Sequence, residues 1–309
     1  MAEAEDLLFF DYTHYSPLIR NKVYRNRAPI KQFNSTSGNN RNNSQVSLKI
    51  WSINASGLNS PYEQLDLLLR AEKEGVDILV VQETYFRDTY TIPIGKWLLI
   101  SSGVLTNSEN NTEIPIDKIK TGVAIYLNPK AKCAVTNYFT VSDRIMSATL
   151  LTKCGTLAII NHHAPDNTQK LTTKTAHWDL LSNTIRKLPK EAIKIVIGDT
   201  NIRWHGRYNG EEDIIGPYIF GKGLDYLEEH NTENRDLGSA FLRSHELIYL
   251  NSQFCITPRK TATFRDSHCR RGSFGDKYPT TETHTVLDQL FGDKRARASC
   301  LDIQAGIVY

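Results

Sequence analysis

Residues 192–201 read Ala-Ile-Lys-Ile-Val-Ile-Gly-Asp-Thr-Asn. The β-branched run through Ile193, Ile195, Val196 and Ile197 predicts a buried strand over 192–197. That strand delivers Gly198-Asp199-Thr200-Asn201 at its carboxyl end, where glycine permits a sharp turn. An acidic residue after a buried strand is often only a helix cap or a solvated turn, so the pattern gains weight only if it recurs. It does: Ile78-Leu79-Val80-Val81 runs into Gln82-Glu83, and an expected strand over 48–54 ends on Asn54. In layered α/β proteins the carboxyl ends of core strands form a common rim, so groups far apart in sequence converge there. Two carboxylates and two carboxamides on one rim offer hard oxygen ligands, which suit magnesium or manganese better than zinc.

Around these strands the chain alternates apolar runs with amphipathic stretches. A helix is expected over 62–74 with Leu65, Leu68 and Leu69 on one face, stopped at Gly75. Strands are expected over 77–82, 122–127, 148–151 and 156–161, the last two joined at Cys154-Gly155. A helix over 173–188 repeats Trp178, Leu181 and Ile185 at helical spacing. Beyond it, 207–223 is expected as a glycine-rich surface excursion, 239–251 as a helix, 278–283 as a loop and 285–291 as a last strand. With no fixed repeat, helix and strand interleave as in an α/β protein with one sheet-centred core.

Composition sets the outer bounds. The chain has 309 residues, 40% hydrophobic and 23% charged, which excludes wholesale disorder and fibrous repeats. No apolar run approaches a bilayer span, so no membrane is expected as a partner. The start, Met-Ala-Glu-Ala-Glu-Asp, lacks the basic-then-apolar order of a secretory signal. The five cysteines are odd in number, widely spaced and without a Cys-x-x-Cys pair, so free thiols and an intracellular protein are expected. Net charge is only +3, but residues 12–61 hold seven Lys or Arg and no Asp or Glu. Such an arm can lie along phosphates, or be merely a solvated segment. The Asn/Ser-rich stretch 34–46 has the composition of a linker, which divides the chain into a basic, partly disordered arm over 1–46 and a domain over 47–309.

Asn-Ala-Ser-Gly-Leu at 54–58, Gln-Glu at 82–83, Ala-Pro at 164–165 and Gly-Asp-Thr-Asn at 198–201 occur in this order. Their wording and order resemble the endonuclease/exonuclease/phosphatase superfamily of DNase I-like metal-dependent phosphoesterases. The stretch 54–60 is especially similar to endonuclease domains of non-LTR retrotransposons and host proteins derived from them. Trp178, Ile214-Ile215-Gly216-Pro217, Thr261-Ala262-Thr263-Phe264 and Leu287-Asp288 also fit that branch. The resemblance implies a four-layer α/β sandwich, two packed mixed sheets flanked by helices. It makes Glu83 the principal metal ligand, with Asn54 supporting the metal or phosphate. Asp199 and Asn201 would hold the attacking water and the phosphate in line, and Asp288 would orient a catalytic histidine. It implies Mg2+ or Mn2+ as cofactor and nucleic acid as partner, DNA ahead of RNA. An intracellular location is expected, nuclear ahead of cytoplasmic.

Three departures stand out. Family members finish with Ser-Asp-His, yet none of the nine histidines here follows an Asp, and 21 residues follow Asp288. The domain is therefore expected to be truncated at its carboxyl end, with an open edge on the second sheet. His163, after His162, stands where the family has a phosphate-contacting tyrosine, and strand alternation lets only one of the two face inward. Phe264 replaces a usual tryptophan. His205, His245, His268 and His284 are expected on the surface. Arg259, Lys260, Arg270 and Arg271 are expected to flank the rim and bind phosphates. Two functions follow: an endonuclease weakened by the missing Asp-His, or a non-catalytic remnant that binds nucleic acid or a protein.

Overall fold

The computed structural model describes residues 33–34, 47–103, 119–230, 232–265, 279–300 and 302–303. Most of the expected basic arm, together with His268, Arg270 and Arg271, lies outside the described residues.

The first half supplies β1 (Phe33–Asn34), β2 (Ser47–Leu48), β3 (Ile50–Asn54), α1 (Pro61–Lys73), β4 (Ile78–Gln82), β5 (Thr91–Ile94), β6 (Trp97–Ser102), β7 (Val123–Leu127) and α2 (Pro129–Ala134). Next come β8 (Val135–Ser142), β9 (Ile145–Thr152), β10 (Gly155–His163), α3 (Leu171–Arg186), β11 (Ile193–Asp199), α4 (Leu224–Glu228) and α5 (Glu233–Ser244). The last elements are β12 (Ile248–Tyr249), α6 (Pro258–Thr261), β13 (Phe264–Arg265), β14 (His284–Thr285), β15 (Asp288–Gly292) and α7 (Lys294–Ser299).

Two mixed sheets result, ordered β3-β4-β7-β6-β5 and β12-β15-β11-β10-β9-β8. Side-chain alternation explains how they stack. Ile78 and Val80 of β4 share an inner core with Ile159, Ile195 and Ile197 of the other sheet. Leu79 and Val81, pointing the opposite way, pack with Leu67, Leu68 and Ala71 of α1. Val196 of β11 turns out toward Trp178 and Leu181 of α3 and Phe241 of α5. Both faces of the central strands are thus covered, which is why they read as unbroken apolar runs. The layers are helix, sheet, sheet, helix, the expected α/β sandwich.

A buried polar link ties the two sheets together. Gln82 Nε2 donates to Asn161 Oδ1 at 2.8 Å, and Asn161 Nδ2 donates to the carbonyls of Val81 and Ala124, each at 2.9 Å. These groups are fully buried, so loss of either partner would leave the other desolvated and unsatisfied.

The structure corrects several local expectations. On α1 the buried face is Leu67, Leu68 and Ala71, whereas Leu65 and Leu69 are exposed. The helix expected over 239–251 lies at Glu233–Ser244 and is followed by β12. The irregular 207–223 segment is no mere surface excursion, because Ile214 and Ile215 join the outer core. The expected last strand divides into β14 and β15, and α7 follows. Among the described residues the five-stranded sheet ends on β3, all of whose residues are buried. Cys133, Cys154, Cys255 and Cys300 are free thiols. No helix of the described residues is long and apolar enough to cross a membrane.

Candidate active site

Strand pairing brings the sequence-distant motifs to one edge. β3 and β4 run parallel with Asn54 opposite Gln82, and β10 and β11 run parallel with His163 opposite Asp199. β15 enters antiparallel beside β11 and sets Asp288 opposite Asp199. The loops beyond are locked by main-chain bonds. Ala55, Gly57 and Leu58 donate to the carbonyls of Gln82, Glu83 and Thr84, Ala164 donates to Asp199, and Thr200 donates to Leu287. The Asn-Ala-Ser-Gly-Leu stretch is thus an extension of the β3–β4 ladder across the rim.

Backbone strain collects at the same place. Six non-glycine residues among the described ones have positive φ, and five of them, Ser56, Glu83, Tyr85, Asn201 and His205, sit on rim loops. Such conformations cost about 1–3 kcal/mol each and persist only where the surroundings enforce them. Gly198 meets a different constraint, because a Cβ there would lie 1.9 Å from the carbonyl oxygen of His162.

At the centre, Asn54 bridges two carboxylates. Its Nδ2 donates to Glu83 Oε1 at 2.7 Å and to Asp199 Oδ2 at 3.1 Å. Its Oδ1 accepts from the Ser56 backbone N–H and hydroxyl, and since a backbone N–H only donates, this fixes which amide atom faces the carboxylates. Asn54, expected to support the metal or phosphate, hydrogen-bonds both acids. Tyr85 donates its hydroxyl to Glu83 Oε2 at 3.1 Å; nothing in the sequence singled it out.

His163 Nε2 closes the group, 3.6 Å from Glu83 Oε1 and 3.7 Å from Asp199 Oδ2. One ligand atom each from Glu83, His163 and Asp199 lies within 4.8 Å of the others. Ligands on an ion at about 2.0–2.2 Å stand up to about 4.4 Å apart, and both His163 Nε2 distances lie inside that span, so these three residues can hold a metal. The donor set fits a divalent cation, since two carboxylates this close need compensating charge. As strand alternation requires, His162 points the other way. Its Nδ1 lies 3.3 Å from Nε2 of His177 on α3. Burial drives the His162 pKa down to about 3, with the Asp199 charge opposing and His163 adding to the shift. Burial also holds His177 well below the usual histidine range.

The remaining expected residues are less central. Asn201 Nδ2 donates to the Ala164 carbonyl at 2.8 Å and its N–H faces Asp199 Oδ1 at 3.3 Å, so it fastens two rim loops to each other. Asp288 is fully buried, its N–H donating to Thr263 Oγ1. That contact gives the Thr261-Ala262-Thr263-Phe264 motif its place, and the exposed Arg259 and Lys260 of α6 sit just ahead of it in the chain. His205, expected on the surface, is buried.

Residues 47–300 match the Endonuclease/Exonuclease/phosphatase family. The chain belongs to that family. A variant of the 3' phosphatase NExo from Neisseria, solved bound to a product DNA hairpin, matches with TM-score 0.55 and 16% identity, over 85% of this chain and 100% of that one. The AP endonuclease LMAP from Leishmania major matches with TM-score 0.55 and 12% identity, over 82% and 81%. The endonuclease domain of TRAS1, a telomere-specific non-LTR retrotransposon, aligns with TM-score 0.47 and 12% identity, over 80% and 85%. No curated protein matches the chain by sequence. The DNase I-like fold of the family is what the first two of these structures share with this chain.

Proposed function

We propose that this chain is a divalent-metal-dependent phosphodiesterase that cleaves nucleic acid, DNA ahead of RNA, and that it derives from a retrotransposon endonuclease. The observation that carries the reading is the joining of Glu83, His163 and Asp199 around the Asn54 amide, at the strand-end rim of a family that includes endonucleases. The motif wording at 54–60 supports the retrotransposon origin.

Glu83, Asp199 and His163 would hold Mg2+ or Mn2+, which when bound neutralises charge developing on the phosphoryl group. The protein's own groups do the rest. Asp199, fully buried and steadied by Asn54, would accept a hydrogen bond from the attacking water and aim its lone pair at phosphorus. Tyr85 and Asn54 each hold one oxygen of Glu83, so the carboxylate keeps its orientation as charge changes nearby. Asn201 keeps one amide hydrogen beyond its bond to Ala164, a donor for a phosphoryl oxygen.

A plasmid-nicking time course with Mg2+ or Mn2+ tests the proposal. Nicking that needs the metal and disappears in Asp199→Ala supports it. Salt-sensitive DNA binding without nicking would instead favour a non-catalytic nucleic-acid-binding domain.

A further inference from the structure

Residues 119–122, which lead into β7, are clamped against the loop that carries Glu83, and the reaction above makes no use of them. The carbonyls of Thr121 and Gly122 accept the N–H groups of Tyr85 and Thr84 at 2.8 and 3.1 Å, and the Gly122 N–H donates to the Asp143 carbonyl at 2.9 Å. Ile119 is buried and anchors the segment from below. Gly122 has no room for a Cβ beside Thr84 Oγ1, so the two loops approach as closely as glycine permits.

Lys120 is the exposed member of this segment. Its ammonium stands 5.0 Å from the centroid of the Tyr85 ring, where the negative face of the ring attracts a cation. The ring is itself fixed. It packs on Gly57, whose Cβ would lie 3.0 Å from Tyr85 Cδ2, and its hydroxyl donates to Glu83 Oε2. Lys120 is therefore held one ring away from the Glu83 carboxylate.

Its charge is not neutralised there. Two other cations that lie over aromatic rings have carboxylate partners: Lys222, over Tyr226, pairs with Glu282 at 3.1 Å, and Arg235, over Tyr208, pairs with Glu211. Among the described residues no ion pair or hydrogen bond engages the Lys120 ammonium. Glu83 and Asp199 repel an approaching polyanion, and a cation beside them offsets that repulsion. Successive phosphates of one strand advance about 3.4 Å along the duplex axis, and lysine carries its charge on a flexible four-carbon stem. A phosphate adjoining the one at the carboxylates falls within its reach.

We infer that Lys120 contacts the substrate strand: its ammonium binds the backbone phosphate next to the cleaved one, with the Tyr85 ring as the platform that holds the side chain in place. The inference rests on the nucleic-acid phosphodiesterase reading and adds to it the path of the strand, which crosses the rim over Tyr85 on the side where the chain enters β7.

The test is fluorescence anisotropy of a short labelled DNA duplex with the full chain, in EDTA so that no cleavage intervenes. Lys120→Ala should weaken binding roughly fivefold and flatten the slope of log affinity against log salt by about 0.9. Lys120→Arg, which keeps the charge, should retain the slope. Because the side chain is exposed, thermal melts of both variants should match the parent's, which separates lost contact from lost fold. In plasmid nicking with Mg2+, Lys120→Ala should raise KM and leave kcat within about twofold, the pattern of a contact made equally before and during the reaction. Unchanged affinity and slope in Lys120→Ala, in a parent that binds DNA, overturn the Lys120 contact alone. A fall in kcat with KM and slope held would place Lys120 behind Glu83, acting through Tyr85, and also overturns it. A parent that neither binds nor nicks DNA overturns the nucleic-acid reading on which it rests.

Discussion

His163 and Asp199 face each other across the parallel register of β10 and β11, with His163 Nε2 3.7 Å from Asp199 Oδ2. That pairing puts an imidazole within reach of both acids of the rim, and it makes the site a three-residue donor set instead of two isolated carboxylates. The rim loops around it are held by main-chain bonds and strained torsions, so the side chains are pre-placed before any ligand arrives.

Glu83 carries the first expectation. Its carboxylate is fixed by Asn54 and Tyr85 beside the other two donors, so Mg2+ or Mn2+ binding should depend on it. Isothermal titration is expected to give binding in the parent and none in Glu83→Gln; equal heats in both would remove Glu83 from the metal site.

Gly198 has no room for a side chain, as its Cβ would strike the His162 carbonyl oxygen. Gly198→Ala must therefore push β11 away from β10 directly under the site. A loss of at least about 2 kcal/mol is expected, read as a lower urea midpoint at unchanged m-value. A midpoint equal to the parent's would contradict the close approach.

The His162–His177 pair makes stability sensitive to acid. His162 is held at about 3 in the fold, against 6.5 for an ordinary histidine, chiefly by burial. Between those values the unfolded chain binds a proton that the folded chain refuses. Stability is therefore full above about pH 6.5 and falls as pH drops toward 3, by on the order of 1 kcal/mol per pH unit. Urea melts from pH 8 down to 4 should trace this decline, and His162→Asn should flatten it.

The buried pair of Arg235 with Glu211 braces the segment that follows Asn201. Both side chains are nearly inaccessible, and the guanidinium also lies over the rings of Tyr208 and Trp204. Arg235→Met strands a buried carboxylate, which costs roughly 3–5 kcal/mol. Differential scanning calorimetry should register a large drop in Tm, partly restored by adding Glu211→Gln; an unaltered Tm would show that the pair is not a brace.

Salt dependence probes the rim's surroundings. If Arg259 and Lys260 contact phosphates, the double change to alanine should flatten the log–log salt slope for duplex DNA by about 0.9 per lost contact. A slope identical to the parent's would remove α6 from the nucleic-acid surface.

The amino-acid sequence by itself determined the layered class and the identity of the rim. Runs such as Ile78 to Val81 and Ile195 to Ile197 are apolar at every position because both faces of their strands are covered. Each run then ends in a polar group that has no place in a core, so Glu83, Asp199 and Asn54 were legible from local pattern alone. The chain order of the four motifs carried the family. Tertiary structure decided the rest. Only the parallel registers could show that Asn54 reaches both acids, that His163 and not His162 faces them, and that Tyr85 steadies Glu83. The Gln82–Asn161 link, the Arg235–Glu211 brace and the burial of His205 were likewise invisible. Their partners lie 17 to 79 residues away. Periodicity records which face of an element is buried, but which side chain meets it there depends on how strands from distant parts of the chain are paired.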